Sequence, residues 1–114
     1  MTGTVLDAAR AHFARMKGRT LEVPEWGVDG EPLVVHFDPL TLAERQAIQS
    51  RAKGSDAQAA LLVVIRHAKD AAGARLFKDD APTRAALETD ADPAVIARIA
   101  ATILGVGDAA ALGE

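Results

Sequence analysis

Residues 20–45 read TLEVPEWGVDGEPLVVHFDPLTLAER, two alternating segments joined by a glycine-rich turn and followed directly by a helix start. Alternation of apolar and polar residues is typical of half-buried strands, and the two glycines of WGVDG can adopt positive φ. The stretch therefore predicts a β-hairpin with a longer loop. Because Pro24 and Pro32 have no amide donor, both are expected at an edge or at a strand end.

A capping box marks the start of the helix that follows the hairpin. Thr41 stands at the N-cap and Glu44 at the third helical position, a pattern in which each side chain satisfies a backbone amide. It predicts a helix from Leu42 to about Lys53. Since an isolated hairpin is barely stable, helices must cover its apolar face. That face is expected to consist of Leu21, Val23, Leu33, Val35 and Phe37.

The most apolar segment of the chain is expected at the centre of the domain. Ser55 and Gln58 form a second capping box, and Gly73 can end a helix of roughly 17 residues. Within this helix, residues 61–65 are apolar on every side, so they need contacts from several neighbouring elements.

Three more helices complete the predicted bundle. Residues 5–16 predict a short amphipathic helix, whose Leu6 and Phe13 must dock on the rest of the chain because so short a helix is marginal alone. Asp80 and Asp92, each followed closely by a proline, start two further helices.

The predicted fold class is therefore α+β and mostly α. A small N-terminal β-hairpin packs on a bundle of four to five helices around the central apolar helix. We expect a single domain over residues 1–105 and a flexible C-terminal tail over residues 106–114, which have little to pack.

Composition excludes several classes of protein. The chain has no cysteine, which rules out disulfides and thiolate metal sites, and it has no apolar run long enough for a membrane span. Without a recognisable signal peptide, the expected compartment is the cytoplasm. Residues 79–114 contain two basic and seven acidic residues, and no dense lysine or arginine stripe occurs elsewhere, so nucleic acid is not an expected partner.

Residues that could carry catalysis are scattered. The three histidines, His12, His36 and His67, belong to three different elements, with no carboxylate at metal-ligand spacing, so neither a metal site nor a cofactor is expected. There is no cysteine nucleophile, no serine in a nucleophile elbow and no phosphate-binding glycine loop. These observations predict a protein that is not an enzyme.

An ordered set of segments resembles a known family. The set comprises TLEVPEWG, LVVHFDPLTLAERQAI, LFKDDAP and VIARIAATILGV, and it lies within residues 17–106. Together these segments resemble the small tail assembly chaperones of long-tailed bacteriophages and prophages. In that family a strand ending near Pro-Glu-Trp-Gly leads through a second strand to a Leu-Thr-x-x-Glu-Arg helix entry, which is matched here by Leu40, Thr41, Glu44 and Arg45.

The resemblance implies a role in phage assembly. Such a chaperone holds the tape measure protein in solution in the host bacterial cytoplasm and helps the tail tube protein to polymerise around it. The alternative from another class is a small regulatory or antitoxin-like module that binds protein or DNA.

Contact residues for a partner are expected on the hairpin and the tail. Trp26, the only tryptophan, either folds back over the sheet or stays exposed as an anchor. Val34 faces away from the apolar side of the hairpin, so a neighbour, a partner or a second copy of the chain must cover it, or it is exposed. The candidate contacts are Trp26, Val28, Val34 and His36 on the hairpin, with Val106 to Leu112 in the tail.

Overall fold

The computed structural model describes residues 4–105. In chain order, helix α1 (Val5–Arg15) precedes an antiparallel pair of strands, β1 (Arg19–Val28) and β2 (Glu31–Phe37). Four helices follow: α2 (Leu42–Ala52), α3 (Asp56–His67), α4 (Ala81–Asp90) and α5 (Pro93–Leu104). This architecture confirms the predicted α+β, mostly α class. The predicted tail over residues 106–114 lies outside the described residues.

Helix α3 lies at the centre of the core, as predicted. All five residues from 61 to 65 are buried, and α3 contacts α2, α4 and α5. Val23 and Val35 of the hairpin and Ile99 of α5 are fully buried in the same core cluster. The hairpin and the helices therefore share a single apolar core.

Local capping signals are confirmed at three helix starts. The Glu44 amide donates to Thr41 Oγ1 at 3.1 Å, and the Thr41 amide donates to Glu44 Oε1 at 2.8 Å, which completes the predicted capping box of α2. Asp80 and Asp92 are the N-caps of α4 and α5, each with a proline in the first turn.

The second predicted capping box is only half formed. Ser55 Oγ accepts the Gln58 amide at 3.2 Å, but the Gln58 side chain does not return to the N-cap. Its Nε2 instead donates to Glu88 Oε2 of α4 at 2.7 Å. A hydrogen bond between α3 and α4 thus replaces the predicted hydrogen bond within the capping box.

The predicted end of α3 is wrong. The helix ends at His67 instead of Gly73, because the chain leaves it to pair with the free edge of β2. The Lys69 amide donates to the His36 carbonyl at 2.9 Å, and the Lys69 carbonyl accepts the His36 amide at 2.8 Å. The Asp70 carboxylate then accepts two backbone amides of the following turn, at 2.9 and 3.0 Å.

The predicted loop of the hairpin is also wrong. The strands are joined by a two-residue turn, in which Asp29 and Gly30 have φ of 57° and 80°. Positive φ at both central residues is typical of the tight turns that match the twist of a hairpin. The extra residues lie within β1 as a bulge, where residues 24–27 stand opposite the single residue Pro32.

Helix α1 does not dock as predicted. No residue of α1 is buried: Val5 is 88% exposed, Leu6 is 58% exposed, and Phe13 is only half-buried. Other elements already bury three of the five residues on the apolar face of the hairpin, Val23, Val35 and Phe37, and Leu6 stays exposed. The first half of α1 therefore projects into solvent.

Candidate functional site

An open apolar cleft lies beside the hairpin. It is bounded by the bulge of β1, by β2, by the segment that follows α3, and by the C-terminal part of α4. Its volume is about 350 Å³. The cleft is lined by Trp26, Leu33, Leu76, Phe77, Leu87 and Ala91, none of which carries a charge.

Trp26 forms one wall of this cleft. Its ring meets Phe77 edge to face, with ring centroids 6.0 Å apart and an interplanar angle of 81°. Such aromatic pairs contribute about 0.5–1.5 kcal/mol beyond the area that they bury. The indole is half-buried: it packs against the core cluster, and it also lines an open surface.

Two features hold the bulge that carries Trp26. Gly27 lies so close to β2 that a Cβ atom there would stand 2.1 Å from the Glu31 carbonyl oxygen. At the residue before Trp26, Arg98 of α5 donates two hydrogen bonds to the Glu25 carboxylate, at 2.6 and 2.8 Å. These hydrogen bonds lower the pKa of Glu25 to about 2. Trp26 is therefore fixed through both of its chain neighbours.

The structure separates the other predicted contact residues from Trp26. Val28 is 72% exposed and adjoins the hairpin turn. Val34, 37% exposed, and His36, half-buried, alternate with the buried residues of β2 and so lie on the outer face of the hairpin. The tail candidates Val106 and Leu112 lie outside the described residues.

Sequence reasoning did not place the other five cleft residues at a site. It placed Leu33 on the apolar face of the hairpin, and it included Leu76 and Phe77 only as part of the segment LFKDDAP. The only indication in the sequence that these two residues could meet is that Trp26 and Phe77 are both large aromatics in segments without helical periodicity. Since nothing local shows that two such segments meet, the pair could not be inferred from sequence.

The chain around the cleft is strongly acidic. All six lining residues come from two segments, residues 22–33 and 76–92. Together these segments contain nine acidic residues and two basic ones, and two of the acidic residues, Glu25 and Asp79, are paired with Arg98 and Arg66 of other elements. An apolar surface within acidic surroundings favours a partner that is itself apolar with basic flanks.

A separate polar hollow lies between α1, α2 and the end of α3. His67 is half-buried there, and burial lowers its pKa, although the nearby Glu44 carboxylate opposes the shift. Hydrogen bonding to Thr41 lowers the pKa of Glu44. Within residues 4–105, no three His, Asp or Glu side chains lie together in a way that could hold a metal ion.

Among residues 4–105, every helix is too short or too polar to cross a bilayer. Comparisons of the chain with protein-family models, with curated proteins and with solved structures found no match. Its function is therefore inferred from its own residues and from the apolar cleft.

Proposed function

We propose that this protein is a tail assembly chaperone of a long-tailed phage or prophage. In this role it binds the tape measure protein in the host bacterial cytoplasm and assists tail tube assembly without catalysing a reaction. The order of the segments from TLEVPEWG to VIARIAATILGV supports the assignment. The single observation that carries it is the open apolar cleft beside Trp26.

The cleft suits the face of an amphipathic helix. Sites for small molecules usually combine an apolar lining with a few precisely placed polar groups, whereas all six side chains that line this cleft are apolar. A helix that enters a groove needs only apolar anchors at positions i, i+3 or i+4, and i+7. A long helical tape measure protein that has not yet been assembled exposes such stripes.

A chaperone must also release its client, and the cleft fits that requirement. It is small, at about 350 Å³, and it is open to solvent, so only a few client side chains can be buried in it. Affinity in such contacts rests on a few anchors, of which tryptophan is among the strongest. Acidic surroundings add attraction for basic flanks, which salt weakens. Moderate, salt-sensitive affinity is expected.

Co-expression with the tape measure protein encoded nearby tests the proposal. We expect wild-type chaperone to raise the soluble yield of tape measure protein and to co-purify with it. Ala91→Phe should abolish both effects, because the added ring fills the cleft without removing a contact. Ala97→Phe is the matched control, since Ala97 is exposed on α5 and does not line the cleft.

Two results would count against the proposal. One is an unchanged solubility of tape measure protein in the presence of wild-type chaperone, and the other is undiminished co-purification of the Ala91→Phe variant. Retention of DNA in a gel-shift assay at low salt would instead support the regulatory or antitoxin-like alternative.

A further inference from the structure

Helix α1 presents an apolar stripe that the described part of its own chain leaves uncovered. Leu6, Ala9 and Phe13 follow the i, i+3, i+7 spacing of one helix face, with Val5 beside them. Only Phe13 is half-buried, while Val5, Leu6 and Ala9 are exposed. This is the pattern of anchors with which an amphipathic helix enters a groove.

The charge of α1 is complementary to that of the cleft. Residues 5–18, which comprise α1 and its link to β1, contain three arginine or lysine residues and one aspartate. The two segments that line the cleft contain nine acidic residues and two basic ones. A projecting basic helix with an apolar stripe and an apolar cleft in acidic surroundings thus occur in the same chain.

The cleft of the same copy is a poor match for this helix. The Gly18 amide donates to Asp38 Oδ1 at 2.9 Å, which ties the end of α1 to the base of the hairpin. Trp26 lies eight residues after Gly18, roughly 25 Å away at the rise of a strand. To reach that cleft, α1 would have to give up this hydrogen bond and the half-buried position of Phe13.

We propose that the cleft of one copy binds α1 of a second copy. Leu6 and Val5 enter between Trp26, Phe77 and Leu87, and the basic residues of α1 face the acidic surroundings of the cleft. When both copies exchange helices in this way, the contact is the same on both sides and closes a symmetric dimer. The exchange covers the exposed stripe of α1 and the apolar cleft together, so a client helix can enter the cleft only by displacing α1 of the second copy.

Cysteine crosslinking tests the geometry directly, because the chain has no cysteine of its own. Two single variants, Leu6→Cys and Ala91→Cys, are mixed and oxidised with oxidised glutathione. We expect a disulfide that joins a Leu6→Cys chain to an Ala91→Cys chain. Leu42→Cys replaces Leu6→Cys in the control, since Leu42 also lies in the first turn of a helix and is 71% exposed. It should give little crosslinking with Ala91→Cys.

Sedimentation equilibrium of the purified full chain tests the energetics. The symmetric dimer buries two Leu6 side chains, each worth about tenfold to a hundredfold in affinity, so Leu6→Asp should weaken the dimer at least about a hundredfold and the matched Leu42→Asp should not. Raised salt should weaken the wild-type dimer as well. Fluorescence of Trp26 should change with the concentration of the wild-type chain and not with that of Leu6→Asp.

Three outcomes would overturn the proposal. The first is a wild-type chain that stays monomeric at the concentrations used for crosslinking, and the second is a Leu6→Asp dimer as tight as wild type. The third comes from a separate variant that carries both Leu6→Cys and Ala91→Cys in one chain, if its disulfide forms only within that chain. The last outcome would assign α1 to the cleft of its own copy. None of these measurements involves a client, so failure here leaves the proposed chaperone function to its own test.

Discussion

Replacing Gly27 by alanine is expected to distort the bulge that builds the cleft. A Cβ atom at this position would lie 2.1 Å from the Glu31 carbonyl oxygen and 3.0 Å from both the Glu31 carbonyl carbon and Pro32 Cα. These are backbone atoms of the facing strand, so no side-chain rotation can relieve the overlap. The strands must separate locally, and the adjacent Trp26 must move with β1.

The size of the effect follows from the displacement required. A Cβ atom essentially never lies closer than 3.0 Å to a heavy atom to which it is not bonded, so the backbone at Gly27 or Glu31 must shift by at least about 0.9 Å. Overpacking of well-packed sites costs about 1–3 kcal/mol, and backbone atoms yield less readily than side chains. We therefore expect a loss of about 3 kcal/mol, which lowers the Tm of a domain of this size by roughly 10–20 °C.

Thermal unfolding of Gly27→Ala measures the loss of stability, and its Trp26 fluorescence measures the displacement of the indole. Gly30→Ala and Gly18→Ala are the controls: both glycines have positive φ but open space around the Cβ position, so each should lose only about 1 kcal/mol from backbone strain. A Gly27→Ala variant with the Tm and the emission spectrum of wild type would refute the reasoning. So would a Gly30→Ala variant that is the less stable of the two.

Three further outcomes are expected from charge and capping. The pKa of Glu25 is about 2 in the folded chain against 4.5 ordinarily, so the stability due to its pairing with Arg98 is present above pH 4.5 and lost as pH falls towards 2. In urea unfolding, Glu25→Gln should be less stable than wild type at neutral pH, and this difference should shrink steadily as pH falls from 4.5 to 2; a difference that stays constant over that range would contradict this. Burial lowers the pKa of His67, so wild type should lose stability as pH falls below 6.5. The His67→Gln variant should lack that part of the decline, and an unchanged decline would contradict this. Thr41→Ala should lose about 1 kcal/mol in denaturant unfolding, whereas Thr41→Ser, which keeps the capping oxygen, should stay close to wild type.

The features predicted correctly from sequence are those decided within a few residues. Thr41, Asp80 and Asp92 each start a helix because a side-chain oxygen accepts an amide two or three positions ahead, whatever the rest of the chain does. The burial of residues 61–65 was equally predictable, because a segment that is apolar on every side can be satisfied only at the centre.

The features predicted wrongly depend on partners far away in the chain. Nothing near Gly73 indicates that α3 will end at His67, because the competing interaction is a backbone pairing of Lys69 with His36. Likewise, the motif WGVDG allows either a long loop or a tight turn preceded by a bulge. The choice depends on the register in which Val23 meets Leu33, and on Arg98, which lies 73 residues beyond Glu25.

These two departures from local reasoning are also what creates the cleft. A helix continued from His67 to Gly73 would advance about 9 Å further along its axis and carry Phe77 away from the hairpin. Because Lys69 pairs with β2 instead, the chain turns back and sets Phe77 against Trp26, which the bulge turns towards it. The end of α3 and the bulge of β1 are thus the two places where long-range contacts, and not local sequence preferences, decide the structure, and both build the apolar cleft. Such departures are expected where function, and not folding alone, selects the residues.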